Sequence, residues 1–409
     1  MNNTFKIKAF IHILIKFTLY SQYRIFRICI FLFLATAIFS CNNEENQNDA
    51  DVKVEPYVLP EIEKINTNES SQYFNQCRLW YDSTLSNSGF NGAVLVSKNG
   101  NVVFEKYQGV SHLGSKDSIT ANTSFHIASV SKTFTAMMVL KLWQDKKLAL
   151  DDELSKYFSD FNYPGVTIRT LLNHRSGLPN YVYFMDELGW DKKKLVSNQD
   201  VYTYLTSRKA ELKNISSPNT HFTYCNTNYA LLALLIEKLT NKSYGAYLKQ
   251  QIFDPLSMTN SFVMDKTDSS NKYQSYDWRG QLIPNNHLDG VYGDKNIYST
   301  VQDLFRWDRF LKSNLLFTPE TLEQAYTPYS NERQGIKNYG LGWRMNIYPD
   351  GNKVVYHNGW WHGNNASFIR LIKEDAVIII LGNRYNRGVY KGKNLISIFG
   401  HTHDNSEEE

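Results

Sequence analysis

The sequence predicts an α/β fold in which both ends of the chain build one sheet-bearing lobe and the middle forms an inserted, mainly helical lobe. Two observations predict it. The stretches "GAVLVSKNGNVVFEKYQG", "KVVYHNGWWHGNNASFIRLI" and "AVIIILGN" read as strands and lie near the two ends, whereas residues 148–260 are helical in pattern. The 409 residues are 42% hydrophobic and 14% aromatic, enough for a sizeable core in one large domain or two.

Residues 1–40 have the anatomy of an export signal. Lys6, Lys8, Lys16, Arg24 and Arg27 make a basic start, followed by an apolar run from Ile28 to Phe39. That run is short of the roughly 20 residues a membrane span takes, although a further apolar stretch at Phe10–Leu19 leaves a retained membrane anchor open. Cys41 follows a small residue and precedes a polar, acidic tract. It resembles a bacterial lipoprotein cleavage site in which this cysteine takes the lipid, with Phe39 departing from the usual small residue. Either outcome places the body of the protein in the cell envelope, outside the inner membrane. Without the five basic leader residues, Lys+Arg 39 stand against Asp+Glu 40, so no nucleic-acid footprint remains.

Residues 42–68 are rich in Asn, Glu and Asp and read as a tether. The folded domain is expected over 69–400, with an α/β lobe at about 75–147 and 286–400 and a helical lobe at about 148–285. A polar tail occupies 401–409. Within the domain, Asn99-Gly100 joins two β-rich runs as a hairpin, and a helix follows from about Ser131 to Gln144. "TIRTLLNH" starts a helix at an N-cap Thr167, "TNYALLALLIEKLT" is a helix with continuous apolar faces, and "TVQDLFRWDRFL" starts another near Thr300. Besides Cys29 in the leader and Cys41, only Cys77 and Cys225 remain, which permits one disulfide and no framework. No paired-cysteine or histidine spacing suggests zinc, and no metal or other cofactor is expected.

"FHIASVSKTFTAMMVLKL" carries Ser129 and Lys132 where an apolar helix begins. Spacing of three puts both on one face, where a lysine partly stripped of water can take the serine proton. The helix N-terminus offers free N–H groups to an oxyanion. Taken alone, the pair reads equally as a helix cap and a lysine reaching out to solvent. Ser269 and Lys272 repeat the spacing inside a polar loop. Tyr224 and Asn226 then stand at a loop-to-helix junction, and His357-Asn358-Gly359 on a strand. Tyr73 with Asn75, and His112 with Gly114, match the same short patterns. The order Ser-x-x-Lys, Tyr-x-Asn, His-x-Gly, at intervals of 95 and 133 residues, is what distinguishes the set. No Gly-x-Ser-x-Gly elbow, His-Glu-x-x-His, phosphate loop or dinucleotide fingerprint competes with it.

Over residues 75–400 the chain resembles the serine β-lactamase and penicillin-binding-protein superfamily, on the branch with class C β-lactamases, D-alanyl-D-alanine carboxypeptidases and esterases. "LLNHRSGLPNY", "GDKNIYSTVQDLFRWDRFL" and "YGLGWRM" resemble its framework segments. The resemblance implies an antiparallel sheet flanked by helices and a serine hydrolase working through an acyl-enzyme. Ser129 would be the nucleophile, Lys132 would ease its deprotonation, and Tyr224 would act as general base and acid, helped to ionise by lysine charge. Asn226 would position the substrate amide and Lys132. His357 would orient Tyr224 or a substrate carboxylate, and Gly359 and Trp360 would border an oxyanion hole formed by the N–H groups of Ser129 and Trp360.

The substrate would be a small molecule or a peptidoglycan-derived fragment: an ester, a D-amino-acyl peptide or amide, or a β-lactam. The chain would meet the membrane through its N-terminal lipid or anchor. A catalytically reduced module that binds peptidoglycan or a partner is the alternative. Trp360 and Trp361 stand where many relatives carry small residues, either as a platform beside the cleft or as packing between lobes. They point away from an efficient β-lactamase and toward an esterase or D-peptidase. Cys225 reads as a small buried hydrophobe.

Overall fold

Asn99 and Gly100 both take positive φ, 48° and 71°, the conformation of a tight two-residue hairpin turn. They join β1 (Gly92–Lys98) to β2 (Asn101–Gln108), so the expected hairpin forms. The computed structural model describes residues 55–264, 273–332 and 334–400. Cys29, Cys41, the second Ser-x-x-Lys copy at Ser269 and Lys272, and the polar tail lie outside the described residues.

Short strands β3 (Phe125–His126), β4 (Phe262–Val263), β5 (Ser275–Tyr276), β6 (Leu282–Ile283) and β7 (Ile297–Ser299) form two small sheets away from the main one. The late strands are β8 (Lys337–Tyr339), β9 (Arg344–Ile347), β10 (Lys353–Trp361), β11 (Asn364–Leu371) and β12 (Ala376–Gly382). With the hairpin they make one antiparallel sheet in the order β2-β1-β12-β11-β10-β9-β8. Gly92 pairs with Gly382, so the two ends of the chain do build one sheet.

Both faces of this sheet are covered. Leu95, Phe368, Ile379 and Leu381 point into a core shared with α2 (Ser131–Gln144), α6 (Asn226–Thr240) and α8 (Val301–Lys312). Val94, Val96, Ile369, Ile378 and Ile380 point the other way, onto α1 (Thr67–Tyr81) and the 3-10 segment Arg387–Phe399. A strand buried on both faces needs no polar alternation, which is why "AVIIILG" reads as an unbroken apolar run.

The helical region contains α3 (Ile168–Leu172), α4 (Tyr181–Glu187), α5 (Asn198–Ser207), α6 and α7 (Tyr244–Leu248). Thr167 caps α3 through a reciprocal pair with Thr170, and Thr300 caps α8 by accepting the Asp303 N–H. After α8, α9 (Pro319–Ala325) leads into β8. One hydrophobic core runs through both lobes, because α2 packs beneath the sheet on one side and against α6 on the other.

Two expectations need correction. The folded part begins before Glu69: the Tyr57 N–H donates to Pro255 O at 2.8 Å and its ring lies 5.0 Å from Phe310. The polar average over 42–68 hid the apolar anchors Tyr57, Leu59 and Ile65. The disulfide left open between Cys77 and Cys225 is not formed; both thiols are free and buried.

The helix α8 is tied to the sheet by charge. Arg370 Nε lies 2.7 Å from Asp308 Oδ1, both buried, and Lys312 Nζ lies 2.8 Å from the second carboxylate oxygen. Burial alone raises the Asp308 pKa, but Lys312 and Arg370 together outweigh it and hold it below the usual carboxylate value. Removing one partner strands a buried charge. We expect Asp308→Ala to cost roughly 3–5 kcal/mol in chemical denaturation. Because the folded pKa is depressed, the pair stabilises above the unfolded pKa, about 3.9, and that contribution fades as pH falls below it.

Candidate active site

Ala128 takes φ 47°, costly for a residue with a Cβ, and its N–H donates to the buried Nδ1 of His126 at 3.1 Å. The bend sends β3 into a 3-10 turn, Ala128–Val130, that presents Ser129 before α2 begins. Ser129 is the one partly exposed residue between Phe125 and Leu140. It caps nothing, since the N-cap of α2 is Val130. Nor does Lys132 reach solvent: it is fully buried, and its Nζ donates to Ser129 Oγ at 3.0 Å and to Asp294 O at 2.8 Å. The amine also lies 5.0 Å from the ring centre of Tyr224 and 5.6 Å from that of Tyr229. A hydroxyl held by a buried amine is the arrangement a serine nucleophile needs.

Tyr224 is half-buried at the end of the loop that feeds α6. Asn226 keeps its Oδ1 buried and without a hydrogen-bond partner, an acceptor left unused. No hydrogen bond joins Asn226 to Lys132 among the described residues; Asp294 O takes that place. Cys225 is buried, with Sγ 3.4 Å from Leu178 O, and burial pushes its thiol up to about 11. It behaves as the small buried residue expected.

Strand β10 brings the third motif over the serine. A Cβ on Gly359 would lie 2.3 Å from Ile127 O and 3.1 Å from Ser129 N, so only glycine lets the strand approach this closely. His357, on the same face, is buried. Its Nδ1 is 2.7 Å from Asn358 O, which can only accept, so Nδ1 carries the proton and Nε2 accepts from Tyr339 OH at 3.3 Å. Burial, then Arg344 and Lys132, push its pKa well below the ordinary value. The ring is buried and neutral, both nitrogens are engaged, and its centre lies 6.3 Å from that of Tyr224.

The two indoles part company as strand alternation requires. Trp361 turns inward: its Nε1 donates to Asp289 Oδ1 at 2.6 Å, and Lys295 Nζ sits 4.7 Å over its ring. Trp360 is 64% exposed and faces Tyr385. Thus one indole is packed inward and the other stands at the surface.

Two residues that motif reading passed over complete the site. Asp294 supplies a backbone oxygen to Lys132 and accepts from Tyr181 OH at 2.9 Å. Arg344 places its guanidinium 5.0 Å from the Tyr224 ring centre, opposite in sequence register to Tyr356. It lines a cavity of about 430 Å³ with Asn358, Gly359, Trp360, Tyr385 and Arg387. Strand β9 pairs only with Lys353–Tyr356, so β10 from His357 to Trp361 keeps an edge without a strand partner beside this cavity.

A family model described as Beta-lactamase matches residues 84–399. The chain is 31% identical over 338 residues to penicillin-binding protein 4* of Bacillus subtilis, a match covering 77% of this chain and 74% of that protein. It is 31% identical over 226 residues to a D-aminopeptidase of Brucella anthropi, covering 54% of this chain and 42% of that one. Among solved structures, a penicillin-binding protein from Bacillus halodurans superposes with a TM-score of 0.67 at 21% identity, over 82% of this chain and 99% of that one.

The Gly359 approach is the most exacting contact of the site. Gly359→Ala must push β10 or the serine turn apart, and we expect the rate of Ser129 labelling by a fluorophosphonate to fall by about 100-fold while the circular dichroism spectrum stays that of the parent.

Proposed function

Because the chain belongs to the beta-lactamase family of serine hydrolases, we propose that Ser129 is its acylated nucleophile and that it transfers a small acyl group to water. The contact that carries this reading is the 3.0 Å pairing of Ser129 Oγ with the buried Lys132 amine. Ser129 Oγ attacks the substrate carbonyl and its proton passes to the Lys132–Tyr224 pair. The oxyanion lies against the Ser129 and Trp360 N–H groups. Collapse breaks the acyl bond, and Tyr224 returns the proton to the departing alcohol or amine. Water then attacks the acyl-enzyme by the same route. Lys132 and Arg344, each 5.0 Å from the Tyr224 ring centre, stabilise negative charge on its phenol oxygen, so that it can take up the serine proton. Asn226 Oδ1 accepts the substrate amide. No cofactor takes part.

The substrate we favour is a D-amino-acyl peptide, amide or ester. Likeness to a D-aminopeptidase supports the D-amino-acyl class. Arg344, with no carboxylate partner among the described residues, supports a substrate that carries a carboxylate into the cavity. Exposed Trp360 offers a ring face to the group beside it. The open edge of β10 suits an extended backbone. We place the enzyme in the cell envelope, held to the membrane through Cys41 or through its leader.

Intact mass after fluorophosphonate treatment tests the nucleophile. We expect one adduct in the parent and none in Ser129→Ala; an unlabelled, well-folded parent points instead to a module that binds peptidoglycan fragments. Slow turnover of a chromogenic cephalosporin beside faster cleavage of D-amino-acyl esters and amides is expected, and the reverse order defeats the substrate assignment. Arg344→Gln should raise KM at least tenfold for a substrate with a free carboxylate and leave its methyl ester within about twofold.

A further inference from the structure

His174, from "LLNHRSGLPNY", has no part in the scheme above, yet it is fully buried against the general base. Its ring centre lies 4.3 Å from that of Tyr224, nearer than Lys132 or Arg344. It holds Tyr224 from both sides along the chain: His174 O accepts the Thr223 N–H at 2.9 Å, and Nδ1 accepts the Cys225 N–H at 3.1 Å. An Nδ1 that accepts from a backbone N–H leaves the proton on Nε2. That Nε2 is buried with no hydrogen-bond partner. It is enclosed by aromatic rings, with Tyr229 at 5.1 Å, Tyr339 at 4.9 Å and Phe222 at 6.0 Å completing the box.

Two costs converge on this one residue: a donor is left unsatisfied and a polar ring is buried. Its φ of +58° lies in the left-handed region, which few residues other than Gly, Asn, Asp and His take. Such costs persist where the surroundings over-determine them, which is characteristic of functional sites.

We infer that His174 is a positioning residue for Tyr224, fixing the backbone on both sides of the phenol and its ring plane toward Lys132 and Ser129. The inference rests on the assignment of Tyr224 as general base. The groups facing His174 are Lys132 from α2, Arg344 from β9, His357 from β10 and Tyr339 from β8, with Tyr224, Cys225 and Tyr229 at the start of α6. Burial, then the positive charges of Lys132 and Arg344, keep the imidazole neutral. Two cations, Lys132 and Arg344, thus flank the phenol while a neutral ring lies against it.

His174→Asn is the informative substitution. Asparagine tolerates the left-handed backbone and offers an oxygen to the Cys225 N–H, but removes the ring from Tyr224. We expect the rate of Ser129 labelling by a fluorophosphonate, and kcat with a chromogenic D-amino-acyl ester, to fall at least tenfold, with KM within about twofold and thermal unfolding cooperative. In Tyr224→Phe the same change should cost less than twofold, because the group it positions is already gone. Equal losses in both backgrounds, or parent-like kcat in His174→Asn, overturn the inference and leave Ser129 as nucleophile intact. A parent that does not label at all overturns the assignment of Ser129 and the inference with it.

Discussion

The amine of Lys132 is the constraint on which the rest of the site depends. An ammonium removed from water is costly unless every proton finds an acceptor or a π-face. Here the acceptors come from separate pieces of chain: Ser129 Oγ from the turn before α2, Asp294 O from the segment before β7, and the rings of Tyr224 and Tyr229 from the start of α6. If any of these segments shifts, the lysine loses a partner it cannot replace with water. The residue that hydrogen-bonds Ser129 thus also ties these separate segments together.

Around that centre the strand β10 separates two chemistries by its alternation. One face carries His357, Gly359 and Trp361 against the serine turn and the buried Asp289–Lys295 network. The other carries Tyr356, Asn358 and Trp360 toward a cavity with two arginines. A single strand therefore faces the serine turn with one set of residues and the cavity with the other.

Much of this was legible in the sequence. The hairpin turn at Asn99-Gly100, the caps at Thr167 and Thr300, and the doubly buried β12 all announce themselves through local rules that packing then reinforces. The three motifs were legible as an ordered set of spacings, and the fold brings Ser129, Lys132, Tyr224 and Gly359 together. What escaped was whatever acts through an atom or register common to all residues. Asp294 serves Lys132 with a backbone carbonyl, which any residue possesses. Arg344 reaches Tyr224 only because β9 pairs with β10 in a particular register. The partner of His357 escaped too, because a sequence cannot say that Tyr339 will occupy its second nitrogen. Helix α1 was missed because it buries little more than Cys77 and Tyr81, too sparse for a visible period.

The pairing of Gly92 with Gly382 also sets the order in which the molecule can assemble. During synthesis β1 and β2 emerge early, form their turn, and present an edge of backbone N–H and C=O groups that no neighbouring residue satisfies. The complement, β12, is made only after the helical region and β8 to β11. Until then the hairpin waits incomplete, and loop closure across nearly the whole domain must precede the pairing of β1 with β12. The nascent chain is therefore at its most vulnerable to association before the sheet closes.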